Sequence, residues 1–148
     1  MTPATDYSTF RVADHRFAVE AASVQEVIPL VPCTPVPQTT PVVDGLINLR
    51  GQIVLAMNLR RRFQLDTQPT DAPRANLIVH SGDGLVSLRV DQLGDVISLD
   101  GHLLQPLPPS VPRQMRELAR GVFQLDDSLL ILLDVSRVAT QEACVEED

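Results

Sequence analysis

The residue types able to do chemistry are sparse in this chain and stand apart from one another. His15, His80 and His102 have no second ligand at metal-site spacing, and a solvated imidazole beside a turn is the plainer reading of His15 and His80. Cys33 and Cys144 fall in neither a metal nor a redox spacing and suit a reducing compartment. No Ser, Thr or Cys occupies a nucleophile elbow. Asp126-Asp127 and Glu146-Glu147-Asp148 read as a solvated turn and tail rather than as an acid paired with a base. Gly82 and Gly84 form a G-x-G, but no helical pattern follows to hold a phosphate. The pattern predicts no enzyme, no metal and no cofactor.

Two arginine features remain. Arg60-Arg61-Arg62 is a basic cluster able to meet an acidic partner; the plainer reading is a solvated face of a short helix. At a helix start these charges would oppose the dipole, which the sequence leaves unexplained. Arg50 stands immediately before Gly51 at a tight turn. A guanidinium fixed there presents five donors to a partner, although an ordinary surface turn accounts for it equally well.

Composition narrows the partners. A formal charge of −7 repels phosphate backbones and anionic bilayers, so neither nucleic acid nor direct membrane insertion is expected. No basic-then-apolar leader is visible, and no apolar run approaches the ~20 residues that span a bilayer; the expectation is a soluble, cytoplasmic chain. With 44% hydrophobic residues but only 3% aromatic ones, the core must be aliphatic. A chain of 148 residues can bury roughly two thirds of its unfolded surface and needs no disulfide to fold.

The elements read as mostly β. Phe10 and Val12 alternate with polar residues, as do Phe17 and Val19, and Ala13-Asp14-His15-Arg16 joins them as a hairpin turn. Further strands are predicted at 46–50, 52–57, 76–80, 85–90, 121–125 and 129–133, with a turn leading into a strand near Val24–Ile28. A short helix fits Ser110–Ala119. The Pro-rich stretches Pro29–Pro41 and Pro106–Pro112 cannot be central strands. Strands so short and closely spaced suit small barrels.

An internal repeat organises these elements. GLINLRGQIVLAMNLRRRF, from Gly45 to Phe63, aligns with GVFQLDDSLLILLDVSRVA, from Gly121 to Ala139, at an offset of 121 − 45 = 76 without a gap. Asn58 and Asp134 coincide as helix N-caps, predicting helices at Leu59–Phe63 and Val135–Ala139. Gly45 and Gly121 coincide before a strand, which points to a backbone requirement. Upstream, Phe10, Val12, Phe17, Val19, Val24, Val27 and Ile28 correspond to Leu77, Val79, Val86, Leu88, Leu93, Val96 and Ile97, with a two-residue shift inside the hairpin; Glu26 then matches Asp95. The expected domain is one body across 1–148. It is built from a first unit at 7–63, a linker at 64–73 and a second unit at 74–139, followed by an acidic tail at 140–148.

GLINLRGQIVLAMNLRRRF closely resembles the signature of the CheW-type coupling proteins of bacterial chemotaxis: strand, N-L-R-G turn, strand, short helix. FRVADHRFAVEAASVQEVIPL resembles the family's opening strands, and LRVDQLGDVISL and RGVFQLDDSLLILLDVSRV its second half, so the resemblance covers about Tyr7 to Ala139. It implies two SH3-like five-stranded β-barrels side by side, without catalysis or cofactor. The implied partners are the cytoplasmic tip of methyl-accepting chemoreceptors and the regulatory domain of a CheA-type histidine kinase, met at the inner face of the membrane. The same resemblance also covers adaptors of type IV pilus and other chemosensory pathways. By similarity, Arg50, Gly45, Val24, Glu26 and Val96 fall at receptor- or kinase-coupling positions, with Leu93 and Leu49 beside them on a groove between barrels. Asn58 departs from the family's usual Asp but caps equally well. The implied Pro-rich loop at 29–41 lies near the receptor groove.

Overall fold

The computed structural model describes residues 4–36, 42–65, 74–82, 84–126 and 128–139. Among them run β1 (Thr5–Val12), β2 (His15–Glu20), β3 (Val24–Pro29), β4 (Val43–Leu49), β5 (Gln52–Asn58), α1 (Leu59–Arg62), β6 (Ala75–Ser81), β7 (Gly84–Val90), β8 (Gln92–Leu99), α2 (Arg113–Arg116), β9 (Ala119–Gln124), β10 (Leu129–Leu133) and α3 (Val135–Val138). The strands make two five-stranded sheets, ordered β8-β1-β2-β10-β9 and β3-β6-β7-β5-β4. Exchanging each strand for its repeat counterpart turns one order into the other. The expected class, mostly β with two SH3-like five-stranded barrels, is the one adopted.

The assignment of one barrel to 7–63 and the other to 74–139 is overturned. The first sheet takes β1 and β2 from the first repeat and β8, β9 and β10 from the second; the second sheet does the reverse. The cause is a parallel pairing in each sheet. Beside β2 runs β10, with Ile131 opposite Phe17, and beside β7 runs β5, with Leu55 opposite Val86. Parallel neighbours are not joined by a tight hairpin, and here the parallel partner of each opening hairpin comes from the other copy. The linker call at 64–73 lies outside the described residues from 66 onward, and the tail call at 140–148 lies outside them entirely.

The registers also remove the two-residue shift expected in the upstream alignment. Val79 lies opposite Val86 and Val24, while Phe10 lies opposite Phe17 and Leu93. A constant offset of 69 (79 − 10, 86 − 17, 93 − 24) therefore relates the two hairpins, and Phe10 corresponds to Val79 rather than Leu77.

Both sheets contribute to one cluster that includes Phe10, Phe17 and Ile131 from the first and Met57, Leu77 and Leu88 from the second. At about 1.5–3 kcal/mol per buried side chain, this shared interior holds the two barrels as one body. The scarce aromatics are concentrated there: Phe17 stacks on Phe10 at 5.7 Å and on Phe63 at 4.8 Å. A second cluster inside the first barrel joins Tyr7, Ala18, Phe123, Leu130 and Leu132.

Each repeat ends as its caps predict. Asn58 and Asp134 both accept, through Oδ1, from the third backbone N–H of their helices, at 3.3 Å from Arg61 N and Arg137 N. The arginines of α1, however, do not form a solvated face. Arg60 lies against Asp91, with Nε 2.9 Å from Oδ2, and that same oxygen accepts from Ala13 N at 2.7 Å in the β1–β2 turn. Arg62 is only 6% exposed and donates to the carbonyls of Arg137 at 2.7 Å and Val138 at 3.1 Å. A cation at the carbonyl end of a helix is favourable, and this one belongs to the neighbouring helix. The dipole conflict predicted for α1 is resolved by aiming its basic side chains at other segments. Arg61 alone matches the exposed reading, its side chain 53% accessible and 3.6 Å from Asp44.

Arg62→Ala leaves two carbonyls of α3 without that donor and should cost about 2–4 kcal/mol, lowering the melting midpoint by roughly 5–15 °C. Arg61→Ala should stay within about 2 °C of the parent. Thermal melts followed by circular dichroism check both values, and equal midpoints for the two variants would contradict the clamp.

Candidate functional site

The β4–β5 turn is a two-residue hairpin loop with Leu49 opposite Gln52. Arg50 and Gly51 both have positive φ, 50° and 87°, the geometry that matches the twist of flanking strands. Asn48 Oδ1 accepts from Gly51 N at 2.9 Å and steadies the turn. Held there, the Arg50 side chain is 66% exposed and pairs with Glu26 of β3. The hydrogen bond to Glu26, and then its charge, raise the guanidinium pKa above its ordinary value.

This pair says something about shape. β3 and β4 are the two edges of the second sheet, so contact between Glu26 and the β4 tip shows the sheet curled until its edges approach. Glu26 and Arg50, separated in sequence, are thus brought together at the barrel seam. At the corresponding seam of the other barrel the counterparts are Asp95 and Asp126, two carboxylates that cannot form such a pair.

The other candidates divide by burial. Val96 on β8, an edge of the first sheet, is 62% exposed and available for contact. Val24 and Leu93, counterparts on β3 and β8, are half-buried and packed against the shared core. Leu49 is half-buried at the end of β4. Gly45 is a backbone position: at φ 151° a Cβ would come 2.3 Å from Thr34 O, where Thr34 and Leu46 exchange two 2.8 Å hydrogen bonds. Gly121 repeats the device, with a Cβ falling 2.5 Å from Gln105 O. Any effect of Gly45 on binding must therefore act through the segment carrying Thr34.

Sequence reasoning missed three exposed apolar residues on the strands about this pair, Val27 of β3, Leu30 just after it and Ile53 of β5. Val27 could have been found, since it is the repeat counterpart of Val96. His15 also differs from its expected solvated state: its Nδ1 is buried without a hydrogen-bond partner, and its ring lies 6.2 Å from that of Phe17. His80 is exposed and lines a cavity of about 350 Å³ with Glu20, Arg120 and Asp134, between strands of the two sheets. Cys33 Sγ donates to Asp44 O and receives Arg89 Nη1, both at 3.4 Å; Cys144 lies outside the described residues. Among the described residues, no three His, Cys, Asp or Glu side chains gather as a metal-binding group, and no helix is long and apolar enough to cross a membrane.

Twinned barrels that share a core, with a rigid charged turn and exposed apolar edge positions, define a β-barrel docking module. The comparisons agree. Residues 6–143 match the family model described as CheW-like domain, and the chain belongs to that family. It is 26% identical over 132 residues to the probable chemotaxis protein CheW of Rhizobium etli, covering 89% of this chain and 85% of that protein. It is also 26% identical over 141 residues to the chemotaxis protein CheW of Klebsiella aerogenes, covering 95% and 85%. The crystal structure of the scaffolding protein TtCheW from Thermoanaerobacter tengcongensis superposes with a TM-score of 0.79 at 26% identity, covering 93% of this chain and 92% of that one. Membership places the chain among chemotaxis scaffold and adaptor proteins.

The burial split is testable. Val96→Asp should melt within about 2 °C of the parent, whereas Leu93→Asp, which puts a charge against the core, should melt at least about 5 °C lower. Similar large losses for both would show that Val96 is structural and remove it from the candidate surface.

Proposed function

We propose that this chain is a non-catalytic adaptor that couples methyl-accepting chemoreceptors to a CheA-type histidine kinase at the cytoplasmic face of the membrane. The observation that carries the reading is the Glu26–Arg50 pair at the seam of the second barrel. A guanidinium fixed by a tight turn and by its own carboxylate has little further ordering to undergo on binding. Val27 and Ile53 nearby supply apolar contact, the combination from which small interfaces draw most of their energy. Val96 on β8 offers a second exposed contact on the other barrel. Leu49, Val24, Leu93 and Gly45 support these surfaces from behind. Two barrels in one body give the adaptor separate faces for receptor and kinase, so that a displacement at one is felt at the other.

Arg50→Asn separates binding from folding. Asn tolerates positive φ, so the variant should melt within about 3 °C of the parent or above it. Capture of the receptor's cytoplasmic fragment or of the kinase regulatory domain should fall by at least about tenfold. Unchanged capture of both partners by a folded variant would reject the assignment of Arg50 to the interface.

A further inference from the structure

The β1–β2 hairpin carries a group of basic side chains that none of the ion pairs described above engages. Arg11 and Arg16 stand directly opposite each other across the ladder, where like charges repel. Among the described residues neither forms an ion pair; Arg16 donates from Nη1 to Ser128 Oγ at 3.1 Å. Other arginines of this acidic chain, Arg50, Arg60, Arg89 and Arg120 among them, are paired with carboxylates. Beside Arg16, the half-buried His15 keeps a buried Nδ1 without a partner, a state that buried polar atoms rarely occupy.

These three side chains line a cavity of about 350 Å³ together with the hydroxyl-bearing Ser110 and Ser128. Asp14 lines it too and makes no ion pair with either arginine. The remaining wall is apolar: Val111, Leu129 and Ile131. Donors thus converge from three separate segments, the β1–β2 hairpin, the turn before α2 and the β9–β10 turn.

The duplication supplies an internal control. At the offset of 69, Arg11, His15 and Arg16 correspond to His80, Gly84 and Leu85, and at 76, Ser128 corresponds to Gln52. The β6–β7 hairpin has the same place in its barrel without this cluster, with Leu85 opposite His80. The cluster is therefore not a condition of the fold.

We propose that this cavity binds a small phosphate monoester, its phosphoryl group between Arg11 and Arg16 and its apolar body against Val111, Leu129 and Ile131. The guanidinium fork matches phosphate oxygens, and a phosphate monoester offers three oxygens in a tetrahedral array and up to two negative charges, where a carboxylate offers two oxygens in one plane and a single charge. The volume lies at the lower end of small-molecule sites and leaves room for an organic substituent.

The test titrates the full chain with phenyl phosphate, inorganic phosphate and benzoate at fixed ionic strength, using calorimetry and the side-chain resonances of Arg16 and His15. Phenyl phosphate should saturate with a Kd below ~1 mM, inorganic phosphate more weakly and benzoate weakest. Arg16→Gln, folded by circular dichroism, should bind phenyl phosphate at least about tenfold more weakly; if it fails to fold, Ser128→Ala should show a several-fold loss. No saturable binding of phenyl phosphate by the parent chain up to ~10 mM, equal affinity for benzoate, or unaltered affinity in the folded variants would overturn the proposal. Because no partner protein is present, the result stands apart from the adaptor reading.

Discussion

The parallel pairing of β2 with β10, repeated as β7 with β5, is the constraint on which the rest of this architecture depends. Each barrel needs a strand that its own repeat cannot deliver through a tight turn. The two copies satisfy the need by exchanging opening hairpins. A unit of roughly 60 residues buries little core by itself, and here neither unit even completes its own sheet. Rigidity between the barrels follows from that exchange. The chain crosses from one sheet to the other between β2 and β3 and again between β7 and β8, and Phe10, Phe17, Leu77 and Leu88 meet in one cluster.

The same exchange explains the short helices. α1 and α3 hang on the end strands of the repeats, too short to be stable alone. They persist because Asn58 and Asp134 cap their starts and because Arg62 of one repeat occupies the carbonyl end of the other repeat's helix. Phe63 follows at once and stacks on Phe17 of the opposite sheet. A basic triplet that resembled solvated surface is thus a joint between the halves.

Much of this was legible in the sequence, for reasons that can be named. Alternation of apolar residues located most of the strands, and the gapless offset of 76 exposed the repeat because β4, β5 and α1 are local structures whose side chains face the same way in both copies. Which copy each hairpin joins was not legible. Alternation records the buried face of a strand but not the identity of the strand beside it. Likewise, the two-residue shift was inferred from matching Phe10 with Leu77, whereas the register matches Phe10 with Val79 and sets Ser8 against Leu77, a polar-for-apolar exchange that pattern matching avoids. For the site, Arg50 is marked by its place at a tight turn and Glu26 by the family resemblance, but their contact required the curl of the sheet. Gly45 was marked by its duplication with Gly121, and that duplication already indicated its true reason, a close approach of backbone.

Duplication also separates what the fold requires from what it carries. Features present in both halves, the caps, the two close-approach glycines and the parallel strand pairs, are conditions of the architecture. Features present in one half need another explanation. Arg50 facing Glu26 has Asp126 and Asp95 as its counterparts, so one seam carries a neutral ion pair and the other two carboxylates. Arg60, braced on Asp91, has Ser136 as its counterpart, and Ser136 lines the open cavity beside Glu20, His80 and Arg120. A symmetric pair of barrels would present the same surface twice and could not hold two unlike partners in a fixed relation. Departures from symmetry such as these, set on a core to which both halves contribute, give one small body two distinct sides.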